Sequence, residues 1–218
     1  NGYNKPQVFY YSGVIKLLFD EYDNAILDFN KAIDIDPMYA YAYNDRGSAY
    51  RKLEKYERAI ADYDKAIDLE PNSAIMYNNR GSAKRKNNDL EGAIADYSKA
   101  VDLDPDYYIA YNNRGSAKFE HEDYEGAVAD YNKAISIKSD YAYAYNNLGT
   151  AKVKLKEYKE AIKAFSKAIE IKPEYDYAYF NRGGAKEMLK DFDGACSDWK
   201  KALDLGFKIA ESYLDNCK

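Results

Sequence analysis

Asparagine returns in this sequence at a fixed interval. Asn44, Asn78, Asn112 and Asn146 stand 34 residues apart, and all but the first are followed directly by another, Asn79, Asn113 and Asn147; Asn181 continues this second column. A side-chain amide both donates and accepts hydrogen bonds. A column of amides can therefore hold the backbone of an extended peptide without reading its side chains. Asparagine is a poor helix former, so its recurrence inside helical patterns favours such a column over asparagines that only cap or solvate. Arginine recurs in the same frame: Arg46, Arg80, Arg114 and Arg182 are each followed sixteen residues on by Asp62, Asp96, Asp130 and Asp198. Leu148 and Ala164 replace both members together, while Ser12 and Asp28 break the rule. The expectation is an Arg–Asp pair bridging two helices, which sets register more than it adds stability. The alternative is two solvated charges, worth little.

The nucleophile elbow, phosphate loop, zinc-protease helix and dinucleotide fingerprint are all absent from the sequence. His121 lies between Glu120 and Glu122 with no nucleophile to serve, and reads as an exposed histidine. No enzyme activity and no cofactor are expected. Two cysteines and one histidine cannot build the usual zinc site. Cys196 and Cys217 are either two free thiols or one disulfide tying the last helix to the helix before it, and spacing cannot decide.

The elements that position these residues follow from the period. Six copies of 34 residues run 6–39, 40–73, 74–107, 108–141, 142–175 and 176–209, with a lead-in at 1–5 and a closing segment at 210–218. Each copy reads as two helices. In 74–107, Tyr77, Arg80, Gly81 and Lys84 mark one helix face, and Leu90, Ala93, Ile94, Tyr97, Ala100 and Val101 mark another. Gly81 has an equivalent in every copy, at a helix cost of about 1 kcal/mol relative to Ala, which implies a packing reason. The expected reason is close approach to small residues, Ala93 and Ala100, of the second helix. Pro37, Pro71, Pro105 and Pro173 stop second helices, and looser stops are expected where Ser139 and Phe207 stand instead.

The period, together with Tyr77, Arg80, Gly81, Lys84, Ala93, Tyr97 and Pro105, resembles the tetratricopeptide repeat. The resemblance implies an all-α fold, a right-handed α-solenoid of six helix–turn–helix repeats with a C-terminal capping helix at 210–218. It also implies a concave groove lined by the first helices, which would bind a protein or an extended peptide. The groove residues would be Asn44, Asn78, Asn79, Arg85, Asn112, Asn113, Asn146, Asn147, Asn181, Tyr177 and Phe180. Arg51, Lys52, Arg85 and Lys86 make its second and third copies basic, so an acidic residue would dock there. Tyr177, Phe180, Gly184 and Met188 would form an apolar pocket. The lysines and arginines of the two-carboxylate clamp found in chaperone-binding relatives are absent from the matching positions.

The first helix is apolar nearly all round, with Val8, Phe9, Tyr10, Tyr11, Val14, Ile15, Leu17, Leu18 and Phe19. Further repeats before it, a partner, or self-association through it would each account for this. The net charge of −5 and pI near 5.1 argue against nucleic acid as a partner. No apolar run is long enough for a membrane span. A soluble, preferably cytoplasmic chain is expected; because it begins at Asn1, a secreted or periplasmic setting stays open.

Overall fold

The computed structural model describes residues 5–215 and 217. The lead-in at 1–4, and Asn216 and Lys218 of the closing segment, lie outside the described residues. Twelve helices come in six pairs: α1 (Pro6–Leu18) with α2 (Tyr22–Ile35), α3 (Ala40–Lys52) with α4 (Tyr56–Leu69), and α5 (Ala74–Lys86) with α6 (Leu90–Leu103). There follow α7 (Tyr108–Glu120) with α8 (Tyr124–Ile137), α9 (Ala142–Lys154) with α10 (Tyr158–Ile171), and α11 (Asp176–Met188) with α12 (Phe192–Asp204). A 3₁₀ turn, Lys208–Ala210, and one α-helical turn, α13 (Glu211–Leu214), come last. Among the described residues the closing segment is thus a broken helix, not the continuous capping helix expected. Among the described residues there is no strand.

The chain forms two compact units, 1–113 and 114–218, divided within α7. Within each unit, helices pack with their neighbours in sequence. The second helices bury a stripe of small and large residues: Ala59, Tyr63, Ala66 and Ile67 in α4, and Ala161, Phe165 and Ala168 in α10. This is the spacing of one helix face. The large member of each stripe explains the glycines. A Cβ on Gly81 would come within 3.0 Å of the Tyr97 ring and 3.2 Å of the Ala93 carbonyl, and one on Gly149 within 2.5 Å of the Phe165 ring. The glycine therefore makes room for an aromatic ring sixteen residues on, rather than for alanines alone.

The turns inside the pairs share one conformation. Asp20, Glu54, Asn88, Glu122, Lys156 and Lys190 all have φ between 58° and 64°. The next residue donates its N–H five residues back, as in Lys55 to Tyr50 at 2.9 Å and Glu157 to Lys152 at 2.9 Å. This is a helix stop built around a left-handed residue. The stop expected to be loose at Ser139 is not loose. The α8 helix ends with the Lys138 N–H donating to the Ala134 carbonyl at 2.9 Å, as Lys172 does to Ala168 before Pro173. The final stop does differ: α12 ends with Gly206 at φ 100°.

Candidate functional site

The asparagine columns sit on the first helices and bond to one another. Asn79 donates from Nδ2 to Oδ1 of Asn44 at 3.0 Å, Asn113 to Asn78 at 2.9 Å, and Asn181 to Asn146 at 3.0 Å. Each bond joins one pair of helices to the next. The donors are half-buried, while Asn44, Asn78, Asn112 and Asn146 are buried at 6–7 % exposure. A buried amide needs a partner, and Asn44, Asn78 and Asn146 find it in the second column. What Asn79, Asn113 and Asn181 still present is an Oδ1 and a second N–H. Asn147 is half-buried in the same column. The first rung has other chemistry: Tyr10 donates its hydroxyl to Asp45 Oδ2 at 2.8 Å, and Asn44 donates to Asp45 Oδ1 at 2.7 Å. Burial outweighs these two bonds and pushes the Asp45 carboxyl above its ordinary pKa. Phe180 ends the other side, packed on Phe207 and Tyr213 with centroids 4.9 and 5.0 Å away.

The Arg–Asp spacing closes into bidentate pairs. Arg80 donates from Nε and Nη2 to the two oxygens of Asp96 at 2.9 and 2.6 Å. Arg46 with Asp62, Arg114 with Asp130 and Arg182 with Asp198 share this geometry. The fork also reaches backwards. Nη1 of Arg46, Arg80 and Arg182 donates to Asn30, Asp64 and Ser166 of the preceding pair, at 2.7, 2.7 and 3.0 Å. The hydrogen bonds that Arg80 donates to Asp96 lift the Arg80 pKa above its ordinary value, against desolvation. A lysine that spacing had placed on the helix face, but not in the pair, joins in: Lys84, Lys118 and Lys186 lie 3.0, 2.8 and 2.8 Å from Asp96, Asp130 and Asp198. At the first pair Asp28 accepts from Ser12 at 2.6 Å and from Lys16. Burial disfavours the Asp28 charge, but those bonds win and its pKa falls below the usual value. These groups are structural; their signal, a lysine recurring at the same interval, was present in the sequence.

Behind the columns the chemistry changes along the chain. Tyr63, Tyr97 and Tyr131 meet Ser48, Ser82 and Ser116 hydroxyl to hydroxyl at 3.0, 3.1 and 3.3 Å. Further on, Phe165 and Trp199 replace the tyrosines, with Thr150 and Gly184 in the serine places. Sequence reasoning missed this serine–tyrosine coupling, although its fifteen-residue spacing repeats.

Arg51 and Arg85 are half-buried on α3 and α5, and Arg51 Nε is buried without a hydrogen-bond partner. Tyr177 is half exposed against Phe207, at 4.7 Å between centroids. Cys196 of α12 and Cys217 are joined as a disulfide, with Cα atoms 5.7 Å apart. On α1, Val8, Tyr11, Ile15 and Leu18 are exposed, Leu18 at 77 %. Among the described residues, no cluster of three or more Cys, His, Asp or Glu is placed to hold a metal ion. No helix among them is long and apolar enough to cross a membrane.

Comparison with known families accords with this geometry. Tetratricopeptide-repeat models match residues 44–108 and 142–175, and a related repeat model matches 20–53 and 115–156. A crystal structure of MamA is 31% identical, over 79% of this chain and 94% of that one, with a TM-score of 0.68. This chain belongs to the tetratricopeptide-repeat family. PilW, described as a widely conserved type IV pilus biogenesis factor, matches at TM-score 0.84 with 20% identity, over 93% of this chain and 94% of that one. YrrB, described as a tetratricopeptide-repeat protein with an unusual peptide-binding site, matches at TM-score 0.67 with 21% identity, over 86% and 97%. At those identities the likeness shows the fold, the α-solenoid of stacked helix pairs. No curated protein sequence matches significantly. Within the tetratricopeptide-repeat protein, then, the first helices carry pre-oriented amides and the second helices the packing.

Proposed function

We propose that this tetratricopeptide-repeat protein is a non-catalytic scaffold that binds an extended peptide or partner segment along the face of its first helices. The observation that carries the reading is the ladder. Asn79, Asn113 and Asn181 are each held by a bond to a buried asparagine, with an acceptor and a donor left over. Amides fixed in advance lose little entropy when they meet a peptide backbone, which is where preorganisation gains affinity. Arg51 and Arg85, half-buried on α3 and α5, suit an acidic residue on the ligand. Tyr177 and Phe180 suit an apolar one. Peptides selected by display on the whole chain test this reading. Binding should weaken about ten-fold or more, equivalent to about 1.4 kcal/mol, in Asn79→Ala/Asn113→Ala whose circular dichroism is unchanged. Unaltered affinity in that variant, or recovery of no peptide at all, counts against the reading.

The exposed apolar residues of α1 favour a second reading, self-association through that helix. Sedimentation of wild type against Leu18→Asp decides it: a dimer lost in the variant supports it, and a monomer in both removes it. The Cys196–Cys217 disulfide favours an oxidising compartment over the cytoplasm.

A further inference from the structure

At the C-terminal end of the second unit lies a pocket of about 340 Å³ between α9, α10, α11, α12 and α13. Its depth is apolar: Phe165 and Trp199, both buried, line it together with Val153. Met188 and Tyr213, exposed at 54 % and 40 %, stand at its rim. The opening passes over Gly184, where an added Cβ would meet nothing within 4 Å. In the second, third and fourth repeats a serine occupies this place and bonds a tyrosine; here Gly184 and Trp199 leave neither hydroxyl. Glu187 is exposed at the edge and brings a carboxylate to an otherwise uncharged lining. Tyr213 belongs to a helix of four residues, too short to persist alone. It is fixed by its rings' packing on Trp199 and Phe180, at 5.1 and 5.0 Å, and the chain just beyond it is tied to α12 through Cys217–Cys196.

The volume is at the low end for ligand sites, which run from about 300 to 1,000 Å³, and so suits one large side chain better than a cofactor. We propose that the pocket is a specificity site, taking one bulky apolar side chain of the Phe, Leu or Met class from a partner segment that carries a basic residue beside it. The apolar lining selects the anchor, and Glu187 selects its neighbour by charge. This deepens the scaffold reading and rests on it for biological meaning, but its test does not require the asparagine ladder.

Trp199 is the single tryptophan of the chain, so its fluorescence reports occupancy of the pocket. The full chain is titrated with N-acetyl-Phe-Lys-amide, N-acetyl-Phe-Glu-amide and N-acetyl-Ala-Lys-amide, each too short to span the ladder. The first should give a saturable change, the second should bind about five-fold more weakly, and the third should give none over the same range. Gly184→Leu, which fills the opening, should weaken the first at least about ten-fold with circular dichroism unchanged. Glu187→Lys, at an exposed place, should reverse the order of the first two. No saturable change with N-acetyl-Phe-Lys-amide, or equal affinity for the Lys and Glu ligands, overturns the proposal. If longer peptides still bind and still depend on Asn79 and Asn113, the pocket alone has failed and the scaffold reading survives.

Discussion

In α5–α6, Arg80 forks onto Asp96, Lys84 lies 3.0 Å from the same carboxylate, and Tyr97 donates to Ser82. In α9–α10 the same places hold Leu148, Ala164, Phe165 and Thr150, and Lys152 turns to Glu157 instead. Yet each first helix has 13 residues and each second helix 14, and each glycine lies under the ring sixteen residues on. Even the backward reach is kept. Arg80 bonds Asp64 of the pair before it, while Leu148 packs with Ala127, Tyr131 and Ala151. The ion pair is thus one of two ways to fill a fixed space. What makes the hairpin is the ring on the glycine and the alanine stripe.

That contrast can be broken by substitution, and the largest effect should come from splitting the pair. Asp96→Ala takes both bonds of the fork from Arg80, 18 % exposed, leaving it only the exposed Asp64, and deprives Lys84 of the same carboxylate. A loss of about 3–5 kcal/mol is expected in urea unfolding followed by circular dichroism. The double change Arg80→Leu/Asp96→Ala, which copies α9–α10, should recover most of it. If the double variant is as unstable as the single one, the two fillings are not equivalent. Gly149→Ala comes next, at about 1–3 kcal/mol, because its Cβ would sit 2.5 Å from the Phe165 ring. Gly81→Ala, at 3.0 Å from Tyr97, should cost less, and the reverse ranking would contradict the packing account. Tyr97→Phe removes the Ser82 partner and gives α5–α6 the ring of α9–α10, for about 1 kcal/mol. Hydrogen exchange confined to this hairpin would measure it.

The smallest effect concerns pH. Asp45 replaces the asparagine found at this place in the four copies that follow, and burial raises its pKa in the folded chain. A raised folded value means that its stabilising contribution is present below the unfolded pKa and is lost as pH rises through the folded one. Asp45→Asn should remove that slope between pH 4 and neutrality and leave the variant the more stable of the two near pH 7. Parallel curves for wild type and variant would show that the first rung does not differ from the others.

Much of this was legible beforehand because a repeat states each position several times. The six helix pairs, their frame and the Arg–Asp partnership follow from a period of 34 and from Leu148 and Ala164 changing together. Helical periodicity places residues on a face, and covariation between copies names partners within a hairpin. The role of each asparagine column was not legible. Asn44 and Asn79 belong to different pairs, and only stacking one pair on the next turns the first inward and makes it the acceptor of the second. The same holds for Gly81, which looked like a neighbour of alanines until the direction of the Tyr97 ring was known. Nor could spacing decide whether Cys196 and Cys217 meet, since that depends on the chain reversing at Gly206 to bring their Cα atoms within 5.7 Å. Periodicity along one chain sets which residues share a helix face. Contacts between helices depend also on side-chain direction and on the turn between them, and those exist only once the helices have packed.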